Sequence, residues 1–299
     1  MQMRMLITGA SGLLGTKLCK IALSSNHEVY SAYNTHKPLY GKPIQLDISN
    51  KDAVEKAFRK IRPEAVVHAA ALTNVDKCEL EKELAWKINV EGTENIAKLC
   101  KKHDAFLVYI STDYVFDGKN GMYKETDKPS PINYYGLTKL KGEEKVKAIA
   151  DEFCIARTSV IYGSIPAAEK INFVLWLLEK LRRKEKVKIV TDQWNSPTLN
   201  TNLASMILEV IERKIIGTYH LAGATRISRY EFAKLIAKNF ELDEQLIMPT
   251  LSNQFKWIAK RPKDSSLNTQ KAHQVLKNKP LEIEKAIKTM KKEEEILKH

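Results

Sequence analysis

Met3-Arg4-Met5-Leu6-Ile7-Thr8-Gly9-Ala10-Ser11-Gly12-Leu13-Leu14-Gly15 stands at the start of the chain. Met3 to Thr8 reads as a short buried strand that runs straight into a glycine-spaced turn, and Thr16 to Leu23 continues as a helix. Glycines at these places permit a tight turn, a close backbone approach to a pyrophosphate and close packing of helix on sheet. The helix N-terminus then presents free N–H groups and a partial positive charge to the phosphates. Gly9, Ser11, Gly12, Leu13 and Leu14 are therefore the expected phosphate-side contacts of a dinucleotide, although the spacing is Gly-x-x-Gly-x-x-Gly and not the commoner Gly-x-Gly-x-x-Gly.

Working outward, strand and helix patterns alternate. Glu28 to Tyr33 is the expected second strand. An acid at its end would bond the adenosine ribose and select NAD, but Asn34-Thr35-His36-Lys37 follows instead. Asn34 can bond a ribose hydroxyl, and His36 and Lys37 can meet a 2′-phosphate, which favours NADP and leaves NAD open. Ile44 to Ile48 is the expected third strand, with Asp47 at its C-terminal end. Lys51 to Ile61 is an amphipathic helix, and Ala65 to His68 a fourth strand. The small residues Ala69, Ala70 and Ala71 then let a sugar-phosphate lie against the backbone, while His68 reads as structural. Glu83 to Lys102 is expected as one long helix with Trp86, Ile88, Val90, Ile96 and Leu99 toward the core.

A fifth apolar run, Ala105 to Ile110, ends in Ser111 and Thr112, and a helical pattern follows that carries Tyr135 and Lys139. Positions i and i+4 share a helix face. An ammonium beside a phenol favours the phenolate, so the phenol pKa is expected to fall from its ordinary ~10 toward neutral. With a strand-end hydroxyl to hold a carbonyl, this is a constellation for moving a proton while a hydride moves elsewhere.

These segments together resemble the extended short-chain dehydrogenase/reductases, and more narrowly the dTDP-4-dehydrorhamnose reductase group. The resemblance is carried by GASGLLG (9–15), HAAALTNVDKCE (68–79), STDYVFDG (111–118), PSPINYYGLTKLKGE (129–143), RTSVIYG (157–163), GTYHLAG (217–223) and RPKDSSLNT (261–269), collinear through most of the chain. It implies an α/β fold with a Rossmann-type doubly wound parallel sheet over residues 1–163. Residues 164–299 would form a smaller, mixed substrate-binding part, with about 217–223 returning to the main sheet. It further implies that Asp47 and Ile48 sit by the adenine and that Thr73, Val75 and Asp76 line the nicotinamide and sugar pocket. Thr112 would orient the carbonyl, Val115 and Phe116 would follow it along the substrate, and Asn89 would help shape the site. Tyr135 would be the proton donor, with Lys139 holding the nicotinamide ribose. Trp194 belongs to the segment 191–198 that resembles a sugar-covering loop, and Arg261 falls where members of the group hold the nucleotide end. The implied reaction is reduction of the C4 ketone of a nucleotide-linked deoxysugar by NADPH or NADH.

Composition is compatible with this and excludes other classes. Four cysteines, Cys19, Cys78, Cys100 and Cys154, lie far apart without a Cys-x-x-Cys pair, so neither a zinc site nor a disulfide framework is expected. A net charge of +13 would suit a nucleic-acid partner, yet the lysines interleave with glutamates, as in 141–145 and 291–295, in the pattern of solvated helix faces. No nucleic acid, membrane or metal partner is expected, and the absence of a leader or an apolar run of membrane-spanning length points to a cytoplasmic protein. Some bacterial relatives are thought to dimerise around magnesium through an acid two residues beyond the third glycine. This chain has Lys17 there, which argues against a metal-bridged dimer while leaving a homodimer of another kind open. The β regulatory subunit of methionine adenosyltransferase belongs to the same wider family, so an NADP-binding role on a methionine adenosyltransferase partner stays as an alternative. Sugar-nucleotide epimerisation or dehydration by the same three residues is another.

Overall fold

The computed structural model describes residues 2–166, 168 and 171–298. Its organising element is a parallel seven-stranded sheet. In chain order its strands are β1 (Arg4–Thr8), β2 (Glu28–Tyr33), β3 (Lys42–Gln45), β4 (Ala65–His68), β5 (Phe106–Thr112), β6 (Phe153–Thr158) and, after four short strands elsewhere, β11 (Gly217–His220). Spatially they run β3-β2-β1-β4-β5-β6-β11. The order reverses between β1 and β4, and in such sheets the crevice at the reversal, beyond the strands' C-terminal ends, is where ligands bind.

Strands buried on both faces should be continuously apolar, and β4 and β5 are buried throughout. Each face has its own core. Helix α1 (Leu13–Ser24) and helix α8 (Asn200–Glu212) cover one side, burying Leu14, Leu18, Leu203, Ile207 and Ile211 with Met5, Ile7 and Val67 of the strands. Helices α2 (Lys51–Ile61), α5 (Gly92–Lys102) and α6 (Tyr134–Ile149) cover the other, with Val54, Phe58, Ile96 and Val146 against Leu6, Val66 and Leu107. Local chemistry sets the ends of these helices. Asn50 caps α2 by accepting the Ala53 N–H at 3.0 Å, and Arg62 closes it in the left-handed region at φ 48°.

The remaining strands pair two by two: β7 (Ile161–Tyr162) with β10 (Thr198–Leu199), β9 (Trp194–Asn195) with β12 (Ile227–Ser228), and β8 (Val187–Val190) with β13 (Ile247–Thr250). With α7 (Phe173–Arg182), α9 (Arg229–Asn239) and α11 (Ile283–Lys298) they enclose a third core around Leu177, Phe232, Ile236, Ile287 and Met290. Helix α10 (Gln270–Val275) buries Ala272 in the core shared by α1 and α8.

One expectation is corrected and one refined. The third strand ends at Gln45, so Asp47 lies beyond it in a turn, its carboxylate accepting Ser49 N at 2.9 Å and Ser49 Oγ at 2.8 Å. The long helix expected over 83–102 is present and runs without a break, but with a π turn inside it: after α3 (Val75–Leu80), α4 (Lys82–Trp86) passes through a π turn at Lys87–Glu91 into α5 at Gly92. Among the described residues, no helix is long and apolar enough to cross a membrane, and no three His, Cys, Asp or Glu side chains converge as a metal site. The four cysteines are free and buried.

Candidate active site

The crevice at the sheet reversal is shaped by backbone. Gly9 has φ +67°, and a Cβ there would stand 2.8 Å from Ala70 N, so the β1 and β4 ends can meet only with glycine at this position. Ser11, Gly12, Leu13 and Leu14 complete the turn into α1, and Ala69, Ala70 and Ala71 form the facing edge. A glycine cradle opposite three alanines, ending at a helix N-terminus, fits the diphosphate of a dinucleotide. Asn34, His36 and Lys37 follow β2 as an exposed loop.

A buried polar chain stiffens the edge. The Ala70 N–H donates to Thr8 Oγ1 at 3.2 Å, and that hydroxyl meets His68 Nδ1 at 2.8 Å. His68 Nε2 lies 3.1 Å from Thr93 Oγ1, which donates to the Asn89 carbonyl at 2.7 Å. The Thr93 hydroxyl spends its proton on Asn89, so His68 Nε2 must carry the ring hydrogen. Burial, with Lys139 nearby, holds His68 neutral down to about 3. Asn89 sits in the π turn, an irregularity frequent at functional sites. Its Oδ1 accepts Leu72 N at 2.8 Å while Nδ2 donates to Leu72 O at 3.1 Å and to Thr138 Oγ1 at 3.0 Å, joining the β4 edge to α6.

Helix α6 begins where it does because Asn133 Oδ1 accepts the Gly136 N–H at 2.8 Å. Gly136 lets this first turn press on the Tyr114 carbonyl, where a Cβ would collide. Tyr135 thus reaches the end of β5, where its phenol stands beside the Thr112 side chain. Thr112 Oγ1 accepts Tyr114 N at 3.2 Å and donates to Asp113 Oδ1 at 3.0 Å. Lys139, one turn on, is 3% exposed, with Nζ 4.1 Å from the centre of the Tyr109 ring.

The expected fall in the Tyr135 pKa is not what the structure holds. Burial raises this phenol above its ordinary value, the neighbouring Thr112 side chain offsets part of the rise, and the Asp113 carboxylate adds to it. Lys139 bears the desolvation instead. Burial brings its ammonium down to about 7, with Glu143 opposing the fall. Tyr135 is therefore held protonated, the form that donates.

Asp113 is buried without a cation, its Oδ2 accepting Ser159 Oγ at 2.8 Å and Ser265 Oγ at 2.5 Å. It ties the β5 end to β6 and to the 261–269 segment. Beyond it opens a cleft of about 830 Å³ lined by Trp194, Arg226, Phe255, Trp257, Lys260 and Arg261, among others. Arg226 lies 5.2 Å over Trp194 and is fixed by Asp264 at 2.7 Å. Arg261 lies 5.7 Å over Trp257, which stacks on Phe255 at 5.3 Å. Tyr114 spans the interval from the cleft to Tyr135. Its ring meets Tyr135 edge-on at 6.1 Å, and Arg229 and Arg261 both act on its phenol.

The structure therefore sets Tyr135 beside Thr112 at the end of β5 and Lys139 one helical turn along α6, near Tyr109 and His68, and brings Trp194 and Arg261 together in the cleft. Asp76 accepts Ala259 N at 2.9 Å and pairs with Arg261 at 3.0 Å, which leaves it bracing the cleft wall. Thr73 is exposed and Val75 partly buried beyond the β4 edge. Val115 and Phe116 are corrected: both are fully buried, Phe116 stacking on Tyr123 at 4.2 Å, so neither reaches the crevice. Ile48 is likewise in the core. Lys17 pairs with Glu293 of α11 at 2.9 Å. Arg226, Phe255 and Trp257 were not legible in the sequence. The only trace is an aromatic pair, Phe255 and Trp257, in a lysine-rich stretch.

The family model for the RmlD substrate binding domain matches residues 3–296. The chain is 32% identical over 300 residues to a dTDP-4-dehydrorhamnose reductase of Aggregatibacter actinomycetemcomitans, covering 96% of this chain and 98% of that one. It is 34% identical over 276 residues to methionine adenosyltransferase 2 subunit beta of Rattus norvegicus, covering 90% and 81%. Among solved structures, the dTDP-4-dehydrorhamnose reductase of Bacillus anthracis str. Ames in complex with NADP superposes with a TM-score of 0.89 at 33% identity, covering 98% of this chain and 100% of that one.

Proposed function

This chain belongs to the RmlD substrate binding domain family, and we propose that it is an NAD(P)H-dependent reductase of the C4 ketone of a nucleotide-linked deoxysugar, dTDP-4-dehydrorhamnose being the substrate its relatives' names indicate. The observation that carries this reading is the convergence of a protonated Tyr135, the Thr112 hydroxyl and Lys139 next to a crevice shaped for a dinucleotide diphosphate. A reduced nicotinamide held there supplies the hydride.

The chain's own residues do the rest. Thr112 ends β5 and Tyr135 opens α6 beside it, so the phenol, and the Thr112 hydroxyl once it turns from Asp113, can both donate to one carbonyl oxygen. Tyr135 passes its proton to that oxygen as charge develops, and the ammonium of Lys139 steadies the phenolate that remains. Trp194, Trp257 and Arg261 line the cleft in which the nucleotide part would lie, aromatic faces for a base and guanidinium for a diphosphate. The fit of the glycine cradle and of His36 and Lys37 supports NADP(H) as the preferred cofactor, with NAD(H) compatible.

The resemblance to methionine adenosyltransferase 2 subunit beta is comparable in identity, so the test must separate catalysis from partner binding. Purified protein is mixed with NADPH and a panel of nucleotide 4-ketosugars while the nicotinamide absorbance is followed. Reductase activity gives substrate-dependent loss of that band. A flat trace with every ketosugar, together with saturable binding to methionine adenosyltransferase, would replace this reading with the regulatory one.

A further inference from the structure

Beneath the crevice, out of reach of substrate and cofactor, lies a sealed charged cluster. Glu143 stands one helical turn beyond Lys139 on α6 and has no exposed surface. Its Oε1 accepts Ser111 Oγ at 2.6 Å and Arg157 Nε at 2.8 Å, and its Oε2 accepts Arg157 Nη2 at 2.7 Å. Ser111 immediately precedes Thr112 in β5, and Arg157 belongs to β6. One carboxylate therefore links the helix that presents Tyr135 and Lys139 to the strand that presents Thr112. Packing alone does not call for such a group, because apolar residues of similar volume commonly replace a buried ion pair with no loss of stability.

We propose that Glu143 is a positioning residue for this reaction: its carboxylate, fixed by Ser111 and Arg157, keeps Lys139 charged and locks α6 against the strand end carrying Thr112. The activity half of the proposal rests on the reductase reading; the charge of Lys139 does not. The surroundings permit this assignment. Lys139 is faced by the Tyr109 ring from β5, by His68 from β4 and by Glu143 on its own helix. His68 is neutral near pH 7, which leaves Glu143 as the acid that supports the ammonium. Glu143 in turn meets Arg157, with Lys147 Nζ at 4.0 Å from the solvent side. His220, the β11 partner of Arg157, is held neutral by burial.

The test is Glu143→Gln in the full chain, read in two ways. Lysine labelled with ¹³C at Cε reports the titration of Lys139 directly, assigned by its loss in Lys139→Met, and needs no substrate. The wild-type midpoint is expected near 7. Glu143→Gln removes the supporting charge and leaves that of Arg157, so the midpoint should fall by about one pH unit or more. Turnover should then drop about ninefold at pH 8 but only about twofold at pH 6, because a one-unit fall changes the charged fraction mostly above the midpoint. A purely structural role would lower turnover by the same factor at both pH values and leave the midpoint in place, and that result would overturn the proposal. If Glu143→Gln does not fold, Glu143→Gln/Arg157→Gln removes both members of the pair. Its midpoint should still lie below wild type, and a wild-type midpoint would again overturn the proposal. Wild-type protein that never turns over ketosugar would count against the reductase reading, while the lysine titration would still decide the role of Glu143.

Discussion

Tyr135→Phe separates chemistry from structure more cleanly than any other single change. The phenol stands beside Thr112, whose oxygen keeps its bonds to Tyr114 N at 3.2 Å and to Asp113 at 3.0 Å when the phenol oxygen is deleted. The ring also keeps its edge-on contact with Tyr114 at 6.1 Å. The loss is then at most one ordinary hydrogen bond, about 1 kcal/mol, or roughly 2–4 °C in Tm for a chain of this size. The reaction should suffer far more, since losing a positioned proton donor costs roughly 10²- to 10⁴-fold, equivalent to about 3–5 kcal/mol in the barrier. NADPH binding, followed by fluorescence, should stay near wild type because the glycine cradle is untouched. The assay is steady-state NADPH oxidation with the preferred ketosugar, alongside a melting curve. A variant that turns over within threefold of wild type would refute the assignment of Tyr135. A melting loss large enough to account for the missing activity would refute the claim that its role is chemical.

Other changes probe the rest of the account. Gly15→Ala places a methyl against the Gly9 carbonyl and Ala10 Cα; overpacking of this kind costs about 1–3 kcal/mol, and NADPH affinity measured by calorimetry should fall at least about tenfold, at ~1.4 kcal/mol per decade. Arg261→Ala should raise KM for the nucleotide sugar, on the order of tenfold for a lost charge-assisted contact, with the KM for NADPH little changed. Acid should destabilise the protein through its buried imidazoles. His68 and His220 have folded pKa values depressed to about 3, so the stability they contribute is complete above the unfolded value of 6.5 and is lost as pH falls from there toward 3. At pH 5 the loss is on the order of 2 kcal/mol for each, and His68→Asn should visibly flatten the dependence of Tm on pH.

What the sequence revealed follows from where its signals are local. The turn at 9–15 is legible because glycine spacing and a preceding apolar run are short-range facts, and β1, β2, β4 and α2 fall where periodicity places them. The helix over 83–102 reads as continuous because every residue in it tolerates a helix. Its π turn holds Asn89 bonded to Leu72 and Thr138, contacts across 17 and 49 positions of sequence that no local pattern encodes. Val115 and Phe116 sit beside Thr112 in the chain, yet the turn at Asp113–Val115 sends them into a core shared with Tyr123 and Leu267. The Tyr-Lys spacing was legible, but the resulting pKa values were not. Burial depth, which the sequence does not display, outweighs the charge that it does. The second wall of the cleft was hidden for a similar reason, because Arg226 and Trp257 become neighbours of Trp194 and Arg261 only through the small two-stranded sheets and the loop after β13.

The central claim is that Tyr135, Thr112 and Lys139 deliver a proton to a ketone while hydride arrives from a nicotinamide in the glycine crevice. NADPH carrying deuterium at nicotinamide C4 tests it directly, with the sugar nucleotide product examined by mass spectrometry and NMR. The account predicts one deuterium at sugar C4 for each NADP⁺ formed. Product without deuterium, or a sugar altered with no net NADPH consumed, would contradict it.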